Sequence, residues 1–169
     1  MKKSVAILLI VVLLLSGCAK SEPGGFTEFE TVTLAGEAAT EQIFEGSKLT
    51  MVNIWATYCG PCISEMPGLA AIAKDRAGSG FQIVGLVTDV ANHEGAQADT
   101  ARKLLNNAGA EYENLIINES MIALLQNITA VPTTVFVNEK GEQVGESYIG
   151  SRDQAAWEKI IDELLEKVQ

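Results

Sequence analysis

The run Leu49-Thr50-Met51-Val52-Asn53-Ile54-Trp55-Ala56-Thr57-Tyr58-Cys59-Gly60-Pro61-Cys62 decides how this chain folds. Leu49 to Trp55 is short, apolar and rich in β-formers, whereas Cys62, Met66, Leu69 and Ile72 recur at helical spacing, so a buried strand gives way to a helix within a few residues. Two cysteines sit at that junction, and at this spacing they can close a small disulfide ring with little backbone movement. Unpaired backbone N–H groups and the helix dipole at a helix N-terminus favour a thiolate, lowering its pKa and making it a nucleophile near neutral pH. Cys59 is expected to be the exposed member. Its thiolate can attack a substrate disulfide to give a mixed disulfide, and Cys62, one turn deeper, can resolve it by attacking Cys59. The same steps run in reverse, so the mechanism alone does not set the direction.

Other uses of the pair are weighed by counting donors. A structural zinc site needs four N or S ligands, and beyond this pair the chain offers only His93 and Cys18. Covalent haem attachment needs a His directly after the second Cys, and position 63 is Ile. No metal and no cofactor are therefore expected. A disulfide that only staples a turn stays open at this point, since exported chains use such bonds.

Outward from the pair, Phe81 to Val87, Asn114 to Ile117 and Thr133 to Val137 read as further buried strands. Ala101, Leu104, Leu105 and Ala108, then Met121, Leu124, Leu125 and Ile128, mark helices between them. Asn138-Glu139-Lys140-Gly141 reads as a tight turn into a last strand from Glu142 to Ile149, making an antiparallel hairpin with Thr133 to Val137. Ser151 with Gln154 has the capping-box pattern, opening a helix whose stripe is Trp157, Ile160, Ile161, Leu164, Leu165 and Val168. Phe26 to Leu34 suggests an N-terminal strand or hairpin, followed by a looser region from Gly36 to Lys48. This order implies an α/β fold: a mixed central sheet with helices on both faces and an N-terminal strand or hairpin extension.

The N-terminus has a different character. Lys2 and Lys3 precede an apolar run from Val5 to Leu15 that ends in Leu15-Ser16-Gly17-Cys18, which is the pattern of an export signal. The run is too short to span a bilayer core comfortably, which takes about 20 apolar residues. Residues 19 to 25 are small, polar and turn-forming, as in a flexible spacer. Loss of Lys2 and Lys3 with the signal would take the formal charge from -10 to -12. So acidic a domain argues against nucleic-acid binding and is not drawn electrostatically to an anionic bilayer.

Leu15-Ser16-Gly17-Cys18 resembles a bacterial lipobox, which implies lipidation of Cys18 and three parts: a signal peptide 1–17, a lipidated Cys and tether 18–25, and a domain 26–169. Trp55 to Cys62, Glu65-Met66-Pro67, and Val131-Pro132-Thr133 before a strand resemble the thioredoxin superfamily, and more closely its membrane-attached ResA and TlpA-like branch. The resemblance implies the thioredoxin fold and a redox-active Cys59/Cys62 dithiol. It implies that Val131-Pro132 is a cis bond facing the cysteines, although residue statistics alone favour a strand-initiating trans proline. With Trp55 and Tyr58, this pair is expected to form the substrate-binding surface. Thioredoxin carries a buried Asp where this chain has Asn53, which cannot titrate. The ResA-like branch instead places a Glu three residues after the second Cys, matching Glu65, to which we assign proton transfer and pKa tuning. Pro67 within the first helix has a counterpart in the superfamily, and a kink is expected there.

The resemblance further implies a monomer, lipid-anchored on the extracytoplasmic side of a bacterial cell membrane. It would reduce disulfides of exported proteins, with apocytochromes awaiting haem and oxidative-repair enzymes as candidates, and a CcdA- or DsbD-type membrane carrier would resupply electrons. Cys-Gly-Pro-Cys is the arrangement of the reducing thioredoxins, near about -270 mV, against about -120 mV for the oxidant DsbA. An oxidase or isomerase of the same fold, or a lipoprotein binding module with a structural disulfide, are the alternatives. His93 reads as a solvated loop residue and Asp89 as a helix-entry residue. The sequons at Asn118 and Asn127 read as chance in a bacterial chain.

Overall fold

Every residue of Leu49–Trp55 is buried in the computed structural model, which describes residues 25–122 and 124–168. Burial without alternation requires a strand covered on both faces. This strand, β3, is the middle of a five-stranded sheet ordered β5-β4-β3-β6-β7. β4 (Phe81–Val87) lies parallel to it and β6 (Thr133–Val137) antiparallel, flanked by β5 (Asn114–Ile116) and β7 (Tyr148–Ile149). The sheet is mixed, as expected from the order of elements. Its active end is where β3 stops at Trp55, level with Val87 of β4.

Alternate residues of each strand face α1 (Gly60–Asp75), α2 (Ala96–Ala108) and α4 (Gln154–Leu165). On that side Met51, Ile83, Phe136, Leu69, Ile72, Trp157 and Ile161 form one cluster, and Trp55, Val87, Ile116, Cys62, Met66, Ala101 and Leu105 another. The other face carries Val52, Ile54, Val84, Leu86, Val135 and Val137 under Phe26, Phe29 and Phe44. Those three rings meet edge to face at centroid distances of 6.0 to 6.5 Å. A 3-10 turn, Glu41–Phe44, and the short α3, Glu119–Ile122, complete that cover, so helical segments lie on both faces but unequally.

The N-terminal extension is a hairpin of β1 (Glu30–Val32) and β2 (Ala38–Thr40), so the region expected to be loose holds the second strand. The missing signal was length: three residues, with Ala38 and Ala39, make too short a run to show alternation. The hairpin caps the β5 edge, with Thr33 bridging Leu115 and the Leu34 N–H donating to the Asn114 carbonyl at 2.8 Å. A sheet edge left open invites pairing with another chain, and this hairpin covers it.

Three other expectations need correction. The helix expected around Met121 to Ile128 stops at Ile122, and residues 124–127 turn instead. Leu124, Leu125 and Ile128 still pack on the lower cluster, so their spacing reported burial rather than a continuous helix. The last strand is Tyr148–Ile149 alone. Val137 bridges Gln143, but then two β6 residues, Val135 and Phe136, stand opposite four, 144–147, which bulge outward through Gly145 at φ 75°. Finally, α4 is capped by Asp153, whose carboxylate accepts the Ala156 N–H at 2.8 Å, rather than by Ser151. Its apolar stripe is buried as expected, with Trp157, Ile161 and Leu164 innermost.

Candidate active site

β3 delivers the chain to a turn closed by the Cys59 N–H donating to the Ala56 carbonyl at 3.1 Å, and α1 starts immediately after. Cys59 is the N-cap of that helix, its Sγ accepting the Cys62 N–H at 3.2 Å. Pro61 sits in the first turn, where its missing N–H costs nothing. The two cysteines form a disulfide with Cα atoms 5.3 Å apart. Cys59 is 6% exposed and Cys62 1%, so the expected difference is present but small, and access is to the edge of Cys59 only. On reduction, a Cys59 thiolate would keep a backbone N–H and the positive end of α1, the environment that makes a thiol nucleophilic.

Glu65 lies one turn further along α1 and is 5% exposed. Its Oε1 accepts Asn53 Nδ2 at 3.0 Å, and its Oε2 accepts the Arg152 N–H at 3.1 Å and Trp157 Nε1 at 3.2 Å. Burial pushes its pKa above the usual carboxylate range, opposed by these hydrogen bonds, first that from Arg152, and by the Arg152 charge. A shift in this direction moves a carboxyl toward the pH at which it can exchange protons. Asn53 also donates to Thr134 Oγ1 at 3.2 Å, so at the position where thioredoxin has an acid this chain places a donor that orients Glu65. The Arg152 guanidinium stacks 5.0 Å from both the Tyr148 and Trp157 rings, closing the solvent side of this network.

Val131-Pro132 is a cis peptide, leading directly into β6. Val131 packs against the cluster that holds both cysteines. Tyr58 is 77% exposed, and with Val131, Thr88, Ile117, Leu125 and Ile128 it lines a groove of about 290 Å³ beside the disulfide. A larger groove of about 850 Å³, around Lys74, Phe81 and Tyr112, lies at the other end of β4. Trp55 is buried, so in this state it offers no surface to a substrate and supports the loop from beneath. Its Nε1 donates to Asn114 Oδ1 at 2.9 Å. That side chain crosses β4 above Gly85, where an added Cβ would stand 1.9 Å from Asn114 Oδ1.

Sequence reasoning missed three contributors. Asn114 and Gly85 support Trp55, and the signal available was a polar residue and a glycine inside otherwise apolar strands. Asp89 does not open a helix, since α2 starts at Ala96 behind Gly95. Its carboxylate binds the Thr57 N–H at 2.9 Å and the Thr57 hydroxyl. His93 is half-buried over Gly36. Pro67 lies inside α1 on its exposed side. Cys18 and the signal segment fall outside the described residues, among which no helix is long and apolar enough to cross a membrane.

Comparison with known proteins agrees with this geometry. The family described as Redoxin matches residues 24–165. The chain is 29% identical to the thiol:disulfide interchange protein DsbE of Vibrio cholerae over 83% of its own length and 72% of the relative. It is 25% identical to the thiol-disulfide oxidoreductase ResA of Halalkalibacterium halodurans over 80% of its length and 70% of that protein. Among solved structures, a thioredoxin-family thiol:disulfide interchange protein from Chlorobium tepidum superposes with a TM-score of 0.71 at 24% identity, covering 87% of this chain and 99% of that one.

Proposed function

From the premise that this chain belongs to the Redoxin family and is a thiol-disulfide oxidoreductase of the DsbE and ResA type, we propose that it reduces disulfides of exported proteins. The observation that carries this reading is the Cys59–Cys62 disulfide capping α1 with the buried Glu65 carboxyl one turn behind it. The reduced Cys59 thiolate attacks one sulfur of the substrate disulfide and releases the other as a thiolate, which takes up a proton. Cys62 then loses its proton, with Glu65 as the acceptor, and attacks Cys59 Sγ, releasing the second substrate thiol. Two electrons pass to the substrate and the pair returns to the disulfide. Tyr58, Val131 and Pro132 would contact substrate around Cys59, while Trp55 acts from below.

The two electrons must be replaced after each turnover. A multi-span thiol carrier of the CcdA or DsbD type would supply them, with apocytochromes or oxidative-repair enzymes as candidate substrates. We assign residues 1–17 to the signal, 18–25 to a tether lipidated at Cys18, and 26–169 to a monomeric domain on the extracytoplasmic side of the membrane. Supporting this, Gly25 bridges Glu142 beside the 138–141 turn, at the end of the sheet where β3 begins rather than where it meets Cys59. A tether leaving there turns the disulfide away from the membrane.

The test is to equilibrate residues 19–169 in dithiol buffers of graded potential and read the Cys59/Cys62 state by thiol labelling. A midpoint near or below about -250 mV is expected, and a value above about -200 mV would replace the reductase by an oxidase or isomerase.

A further inference from the structure

Asp89 touches neither sulfur, yet both of its carboxylate oxygens are committed to the loop that carries Cys59. One accepts the Thr57 N–H at 2.9 Å and the other the Thr57 hydroxyl. Its neighbour Thr88 donates its N–H, at 2.9 Å, and its hydroxyl, at 3.1 Å, to the Trp55 carbonyl. Four hydrogen bonds therefore pin the residues after β4 to Trp55 at the end of β3 and to Thr57 beyond it. Tyr58, mostly in solvent, adds little packing to hold that stretch. The anchor comes from a strand parallel to β3 and more than thirty residues away in sequence.

In the oxidised protein the disulfide itself fixes Cys59. Reduction breaks the S–S bond, taking up two electrons and, for the dithiol, two protons, and leaves Cys59 held by its loop and by the hydrogen bonds it makes as N-cap of α1. From this geometry we propose that Asp89 is a positioning residue for the redox pair, holding Thr57 so that Cys59 stays the N-cap of α1 after reduction and thereby setting the pair's reduction potential. The inference rests on the exchange chemistry proposed above. A Cys59 thiolate kept on the Cys62 N–H is stabilised by that donor and by the helix dipole, which favours the reduced form. Loosening the loop withdraws this stabilisation and makes the pair more reducing. The Asp89 charge acts oppositely, because a nearby anion disfavours a thiolate. Position and charge thus predict shifts of opposite sign.

Substitution separates them. Asp89→Ala removes both contacts and the charge. Asp89→Asn keeps an oxygen for the Thr57 N–H and places an amide against the hydroxyl, losing only the charge. Thr57→Val removes the hydroxyl contact alone. Each full-length variant is equilibrated against a reference dithiol, and the rate at which iodoacetamide alkylates Cys59 is measured. Asp89→Ala should shift the exchange constant about tenfold toward the disulfide, about 30 mV more negative, and slow alkylation. Thr57→Val should move both readings the same way by less, and Asp89→Asn should stay near the parent or shift toward the dithiol.

The proposal is overturned if Asp89→Ala and Thr57→Val lower only the thermal midpoint and leave potential and alkylation unchanged, since Asp89 is then mere scaffold. It also fails if Asp89→Ala and Asp89→Asn both shift toward the dithiol, since charge is then the cause. Should Asp89→Ala not fold, Thr57→Val decides on the same two readings. A parent pair that never exchanges removes the underlying thiol-exchange reading and this inference with it, a result distinct from an active parent with unresponsive variants.

Discussion

Across the face of the sheet that α1 covers, one register row runs through all five strands as Asn114, Gly85, Asn53, Thr134 and Tyr148. In the next register row, one position earlier on β3 and β4 and one later on the antiparallel β6, the opposite face carries Val84, Val52 and Val135. The polar row is coupled to the site: Asn114 holds Trp55, and Asn53 holds Glu65. The valines lie beneath the Phe26, Phe29 and Phe44 cluster on the opposite face. On the four strands other than β7 both rows are buried, so the difference is not exposure. Burying a polar group is costly unless it is hydrogen-bonded, and this row is tolerated because its members bond one another and α1. One face of each strand is thus given to chemistry and the other to packing, and stability and reactivity should respond to different substitutions.

The largest effect expected is from Cys59→Ser, which abolishes disulfide turnover and leaves the fold intact, while Cys62→Ser accumulates a mixed disulfide visible by mass spectrometry under non-reducing conditions. Phe44→Ala, on the packing face, should cost about 3 to 5 kcal/mol of unfolding free energy in urea with the Cys59/Cys62 potential unmoved. A shifted potential there would break the division between the faces. Glu65→Gln should slow exchange by about 100-fold, measured by stopped-flow with a model disulfide.

Glu65 also makes a signed prediction for stability. Burial raises its pKa above the usual 4.5, so the folded chain holds that proton more tightly than the unfolded chain. The stabilisation this gives is complete below 4.5 and is lost as pH rises through the raised value. Denaturant midpoints should therefore show the parent losing stability relative to Glu65→Gln as pH rises above 4.5, and a parallel pair of curves would refute the assignment. Smallest is Gly85→Ala, whose Cβ would meet Asn114 Oδ1 at 1.9 Å. It should cost about 1 to 3 kcal/mol and alter Trp55 fluorescence, since Asn114 must move off the indole.

Much of this was legible in sequence because the cues are local. β3, β4 and β6 appeared at their observed bounds as apolar runs between turn signals, and Cys59 and Cys62 stood out by spacing at a strand-to-helix junction. Glu65 was found through resemblance, and its three N–H donors were not, because Asn53, Arg152 and Trp157 come from elements far apart in the chain. The Glu142 to Ile149 segment was overread, because bulging by two residues leaves no mark on composition.

The sequence by itself determined the order of strands and helices, the dithiol at a helix start and the stripe of α4, since each depends on hydrophobic period or on residues within one turn of one another. Only the tertiary structure decided which polar residues share a face. In strands buried on both sides the alternation that would separate the faces is absent, so the pairing of Gly85 with Asn114 and of Asn53 with Glu65 exists only once register is set. The same holds for Asp89 and Thr57. Their contact depends on β4 ending level with β3, a matter of strand register that no local cue in either segment records.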